Sequence, residues 1–167
     1  SRKSARHALE CFKEVVNHLP LLRLKARQLK VTYNLPPVVV TMINAAQEVG
    51  DLDLTPLSAV AGAIAENVAE IAASGGAEKV IVENGGDIAL HLNDTQKVDV
   101  GVRPRAYDNR VRFKLRIEGS MGLRGVATSG LGGRSLTKGV AEAAVILAPR
   151  AAVADAAATA VANATFI

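Results

Sequence analysis

The stretch Lys79-Val80-Ile81-Val82-Glu83-Asn84-Gly85-Gly86-Asp87-Ile88-Ala89-Leu90-His91-Leu92 decides the fold. Two runs of β-branched and aliphatic residues, 79–83 and 88–92, flank Asn84-Gly85-Gly86. Glycine reaches positive φ without steric cost, so this junction turns the chain back on itself and predicts an antiparallel pair. Period two continues over 98–102 and 111–117, with junctions at Asn93-Asp94 and around Asp108-Asn109, so a meander of four strands paired in sequence is expected. Val111, Phe113, Leu115 and Ile117 alternate with Arg112, Lys114 and Arg116, giving one apolar face and one basic face read as solvated. A short strand around Val126 and another over 143–148 follow, and Pro149 opens an Ala-rich helix to about Asn163.

Toward the N-terminus the period becomes helical. Ser74-Gly75-Gly76 ends a helix that starts at Pro56, with Thr55 as its expected N-cap. Leu57, Val60, Ile64, Val68 and Ile71 recur along it, Glu66 and Glu70 share another face, and Ala59, Gly62 and Ala63 admit a close neighbour. Helices over 38–49, stopped by Gly50, and from Ser4 to about Leu19 precede it. Helices, then a meander, then strand and helix describe an α+β fold, with helices packed on one face of an antiparallel sheet. At 167 residues the chain is read as one domain, 1–167.

Composition narrows the function. With 49% hydrophobic and 22% charged residues the chain is neither disordered nor collagen-like. Three Phe, two Tyr and no Trp leave Ala, Val, Leu and Ile to build the core, against aromatic cages and base-stacking modules. Cys11 is a single cysteine and no His/Cys set has zinc spacing, so a reducing, cytoplasmic setting is expected. Arg150 and Asp155 interrupt the longest apolar stretch, and no membrane partner is expected. Residues 1–35 hold eight Lys and Arg against two Glu, a net +6 that leaves −2 for the rest. These charges recur every third or fourth residue, as on the wet face of an amphipathic helix, so nucleic acid is not an expected partner.

Three places exceed core-and-turn needs. Glu83-Asn84-Gly85-Gly86-Asp87 reads either as a tight hairpin or as a turn offering backbone N–H groups to a ligand, with two carboxylates surplus to the turn. Ala127-Thr128-Ser129-Gly130-Leu131-Gly132-Gly133-Arg134-Ser135 combines hydroxyls, glycines and an arginine after a strand. It reads as a phosphate cradle or as a linker, and it is neither a P-loop nor a dinucleotide fingerprint. Asp155 and Thr159, four apart on one helix face among alanines, could hold a hard cation; the alternative is a capping or salt-bridged acid. His7, His18 and His91 have no ligand spacing and are read as structural or surface residues, and no Ser/His/Asp or Cys/His nucleophile stands out.

Four motifs in order, Pro56-Leu-Ser-Ala-Val-Ala-Gly-Ala-Ile-Ala-Glu66, Val82-Glu-Asn-Gly-Gly-Asp-Ile88, Gly125-Val-Ala-Thr-Ser-Gly130 and Ala154-Asp-Ala-Ala-Ala-Thr159, resemble the ApbE-like superfamily over residues 38–163. The likeness is greatest to its uncharacterised branch once labelled thiamine-biosynthesis-like. That resemblance implies a duplicated T-fold and, for the flavin transferases of the superfamily, Mg-dependent transfer of FMN from FAD to a protein hydroxyl, or FAD pyrophosphate hydrolysis. It implies that Asn84, Gly85, Gly86, Asp87, Thr128, Ser129 and Gly130 line a nucleotide or flavin pocket, with Ser135 in the same cradle. Asp155 and Thr159 would be metal ligands, joined by a carbonyl from Ser58 to Ala61. An isoalloxazine would stack on Tyr33, Tyr107 or aliphatic side chains.

The sequence departs from the transferases at two points. Ala61-Gly62 stands where they have Lys-Gly, and Arg134-Ser-Leu-Thr-Lys138 replaces their His-Ile-Ile-Asp-Pro. The alternative expectation is accordingly a non-catalytic nucleotide-binding protein. The branch also carries an earlier pair of strands, so residues before Ser1 would complete the first half-sheet. A homodimer is among the expected assemblies.

Overall fold

The first hairpin forms where the glycines predict it. β1 (Val80–Asn84) and β2 (Asp87–His91) pair antiparallel with Asn84 opposite Asp87, around Gly85 at φ 71° and Gly86 at φ 113°. The computed structural model that shows this describes residues 2–103, 110–131 and 137–166.

The expected meander breaks after β2. β3 (Lys97–Val102) and β4 (Phe113–Glu118) form a separate antiparallel ribbon, while β2 pairs with β5 (Gly125–Ser129) and β5 with β6 (Ala144–Ala148). The four-stranded sheet therefore runs β1-β2-β5-β6, antiparallel throughout. Burial explains the break. Leu90 and Val126 on the sheet cluster with Val100 and Ile117 on the ribbon, flanked by Ile88, Leu147, Val98 and Leu115. Laid over the sheet, the ribbon covers two apolar faces that side-by-side pairing would leave open. Its outer face is wet as expected: Asp99 bonds Arg116 (2.9 Å) and Lys114 (2.9 Å), and those partners hold its carboxyl below the usual range.

The other face of the sheet carries small residues and receives two helices, α4 (Val60–Ser74) and α5 (Ala151–Ala164), so the α+β expectation holds. Ala127 and Ala148 meet Ala154 and Ala158, and Ala89 and Val80 meet Ala65, Ala69 and Ala151. The approach is close enough to require glycine: a Cβ on Gly125 would lie 2.4 Å from Ala151 Cα, and one on Gly62 2.4 Å from the Ala151 carbonyl oxygen. Behind them α1 (Arg2–Asn17), α2 (Leu19–Leu22) and α3 (Pro37–Val49) form a second helical layer around Leu22, Val39, Met42 and Ile43.

Helix starts differ from the expectation in how they are capped. Pro56–Ala59 is a 3₁₀ turn ahead of α4, and the Thr55 side chain makes no cap; instead the Ser58 amide and hydroxyl both donate to the Thr55 carbonyl, at 3.0 and 2.8 Å. At α5 the cap comes from another helix. Glu66 accepts the Ala152 amide (3.0 Å) and the Arg150 guanidinium (3.3 Å), placing a carboxylate at the positive end of α5. No helix among the described residues is long and apolar enough to cross a membrane.

Candidate functional site

A cleft of about 1250 Å³ opens between the β1–β2 turn, the end of β3, the end of β5, the residues leading into α4, the residues ahead of β6 and the second half of α5. Period two decides which side chains of the turn reach it. Asn84 and Asp87 are cross-strand partners, as Val82 and Ala89 are, and so face the helices. Asn84 donates from Nδ2 to the Ala61 carbonyl (3.2 Å), tying the turn to the start of α4. Asp87 accepts the Thr128 amide (3.3 Å), tying it to β5, and Glu83 accepts the Gly86 amide (3.1 Å). The segment is thus a hairpin turn and a wall of the cleft at once.

Asp155 is nine-tenths buried on α5. Its Oδ2 accepts the Gly62 amide at 2.9 Å, and the Ala61 amide also favours its charged form. The bare backbone of Gly62 makes the first contact feasible, since a side chain there would strike Asp155 Cβ. Of the two structural alternatives for this acid the geometry is that of a cap rather than a salt bridge, since Ala61 and Gly62 lie in the first turn of α4. One turn on, the Thr159 hydroxyl donates to the Ser58 carbonyl over 3.5 Å.

Of the carboxyls that line this cleft, Asp155 and Asp87 are uncomfortable as anions. Burial, and then the charge of Asp87, push Asp155 up to about 8 against the pull of the two amides. Burial also raises Asp87 to about 6, with the Thr128 amide opposing and Glu83 adding to the rise. Of the pair, Asp155 is the more strongly biased toward keeping its proton. A cation placed between such groups can replace that proton.

Of the residues expected in a ligand site, Asn84, Gly85, Gly86, Asp87, Thr128, Ser129, Asp155 and Thr159 line this one cleft. Gly130 is buried at φ 146° against the backbone of Ala141 and Glu142, where a Cβ would lie 2.5 Å from the Glu142 carbonyl oxygen. Ser135 and Tyr107 lie outside the described residues. Tyr33 is fully exposed and does not line the cleft.

Sequence reading missed Phe166 and Lys138. Phe166 is the aromatic side chain lining the cleft among the described residues. Lys138 is brought there because its amide and the Thr137 hydroxyl bind Asn163 Oδ1, at 2.8 and 3.2 Å. A lone aromatic just after an Ala-rich helix was a usable signal for Phe166, whereas a loop lysine carries none. Among the described residues no three His, Cys, Asp or Glu converge, so a cation here would draw on hydroxyl, carbonyl and ligand oxygens besides the carboxylates.

Comparison with known proteins bears on the whole chain. A family model described as "AbpE bacteria" matches residues 1–166. The UPF0280 protein of Methanococcoides burtonii is 35% identical over 158 residues, 93% of this chain and 64% of the relative. That of Methanosarcina acetivorans is 41% identical over 134 residues, covering 78% and 49%, and UPF0280 protein MJ1526 of Methanocaldococcus jannaschii is 35% identical over 130, covering 77% and 51%. The chain thus spans between about half and just under two thirds of the length of these relatives.

Proposed function

The chain belongs to the AbpE bacteria family, and from its cleft we propose that it binds a phosphate-bearing nucleotide, FAD or another flavin foremost, together with Mg²⁺. The observation that carries this reading is the pair Asp87 and Asp155, two carboxyls with raised proton affinity facing one large cleft. Mg²⁺ characteristically uses one or two carboxylates and completes its shell with water and substrate phosphates, which suits a place where the Asp155 carboxyl lies one turn from the Thr159 hydroxyl and the Ser58 carbonyl. Asp155 and Thr159 would hold it, with the Ser58 carbonyl beside the Thr159 hydroxyl. When bound, the ion would supply charge neutralisation and polarisation of a phosphoryl oxygen.

This chain's own residues would do the rest. Thr128, at the end of β5, offers a hydroxyl to phosphate oxygens with Ser129 beside it in the wall, and the Gly85-Gly86 turn offers a backbone with no side chain in the way. Phe166 offers an apolar surface to a ring. If chemistry follows, it is Mg-dependent phosphoryl or FMN transfer, or pyrophosphate hydrolysis. Binding without turnover is the second reading, favoured by Ala61, which has no basic side chain, standing where the transferases carry lysine.

Isothermal titration with FAD and Mg²⁺, followed by phosphorus NMR of the mixture, tests both. Binding with new phosphorus resonances supports transfer or hydrolysis, binding alone supports the second reading, and intact, unbound FAD removes the flavin assignment. Asp155→Asn should abolish the Mg²⁺ dependence. Thr159→Ala should weaken it less, because a hydroxyl is a neutral ligand that water can replace.

A further inference from the structure

β6 closes one side of the four-stranded sheet, and its outer backbone edge has no strand partner among the described residues. Such an edge is a template for another strand unless charge or proline blunts it. The opposite edge is blunted: β1 carries Glu83 and Asn84 and follows Lys79. β6 is not, being Ala144-Val145-Ile146-Leu147-Ala148, all aliphatic with Val145, Ile146 and Leu147 half-exposed.

The order of those five residues suits a second copy of the same strand. Read from either end the strand gives small, large, large, large, small, centred on Ile146. An antiparallel copy turned about a two-fold axis at Ile146 sets Ala144 opposite Ala148, Val145 opposite Leu147, and Ile146 opposite itself. Every side chain meets one of like shape on the correct face. A strand pair alone falls short of the roughly 1,200 Å² that stable interfaces bury. The flank of α5 extends it. Ala154, Ala158 and Val161 share one row of that helix; the first two pack beside Ala127, Ala148 and Ile146, while Val161 is 47% exposed. Val140, just before β6, is 57% exposed.

We propose that β6 pairs antiparallel with β6 of a second copy of this chain, joining two four-stranded sheets into one and bringing the Val161 flanks of the two α5 helices together. A dimer interface of this kind is isologous, as a two-fold axis requires.

Analytical ultracentrifugation of the wild-type chain should show a reversible dimer at micromolar concentrations. Val161→Lys, at a site exposed in the monomer, should fold normally and weaken dimerisation at least tenfold. Register is read by cross-linking. Paired Cα atoms across antiparallel strands lie about 4.5–5.5 Å apart, within disulfide reach. Ile146→Cys should thus form a covalent dimer under mild oxidation, Ala144→Cys should not, and wild type, whose Cys11 is buried, should not. A monomer at 100 micromolar would overturn the proposal and leave the edge to a strand from other polypeptide. Equal cross-linking at 144 and 146 would overturn the register, and with it the two-fold pairing.

Discussion

Asp155 is the residue at which folding and ligand binding oppose each other. Its carboxyl is raised from 3.8 to about 8 in the folded chain, so between those values the folded state keeps a proton that the unfolded state has released. Stability then falls as pH rises, because the state binding fewer protons is favoured. The contribution is whole below pH 4, erodes up to about 8 and is gone above that; Asp87 adds the same sign of slope up to about 6. Urea unfolding of the cation-free protein from pH 5 to 9 should therefore show declining stability, and Asp155→Asn should flatten most of the decline above pH 6. Asp87→Asn removes the charge that helps to raise Asp155, so what remains of the slope should move to lower pH. Wild-type stability that climbs from pH 6 to 8 would contradict the assignment of Asp155.

At the scale of elements the site depends on how closely α4, α5 and the sheet approach. Gly62→Ala would put a methyl 2.4 Å from the Ala151 carbonyl and 2.8 Å from Asp155 Cβ. The helices must separate, at about 1–3 kcal/mol, and the hydrogen bond that the residue-62 amide donates to Asp155 must lengthen. Calorimetry should show both a lower melting temperature and weaker Mg²⁺ binding. Glu66→Ala gives the contrast: it orphans the Ala152 amide and one Arg150 contact, costing about 1–3 kcal/mol, yet should leave Mg²⁺ affinity unchanged because Glu66 lies outside the cleft.

These elements also show what the sequence made legible. Local pattern placed every strand and long helix to within a few residues, because alternation, helical period and glycine stops are properties of neighbours along the chain. The partner of β2 was not such a property. Asn93-Asp94 looks like a hairpin junction, but the face bearing Leu90 and Val126 is best covered by a ribbon laid over it, so β2 takes β5 instead. In the same way Asp155 and Thr159 could be seen as one helix face, whereas their contacts with the backbone of Ser58, Ala61 and Gly62, about a hundred residues earlier, could not.

Across the whole molecule the charge is divided. The chain carries +4, concentrated in the first 35 residues, but among the described residues the cleft is lined by Asp51, Asp53, Glu83, Asp87, Glu142 and Asp155 against Arg103 and Lys138. A bare pyrophosphate approaching that wall meets like charge with little screening at short range. Neutralised by Mg²⁺, the same ligand meets attraction. FAD and Mg²⁺ should therefore bind as a pair, and thermal melts read this directly. A ligand at 100 times its Kd stabilises the folded state by about 2.7 kcal/mol, which for a domain of this size raises Tm by roughly 5 to 10 °C. FAD alone should move Tm by less than about 1 °C, Mg²⁺ alone by little more, and the two together by several degrees. The joint shift should vanish in Asp155→Asn. A full shift with FAD in the presence of a chelator would mean that the anion is held by basic side chains elsewhere, and the cleft would lose its claim to the nucleotide.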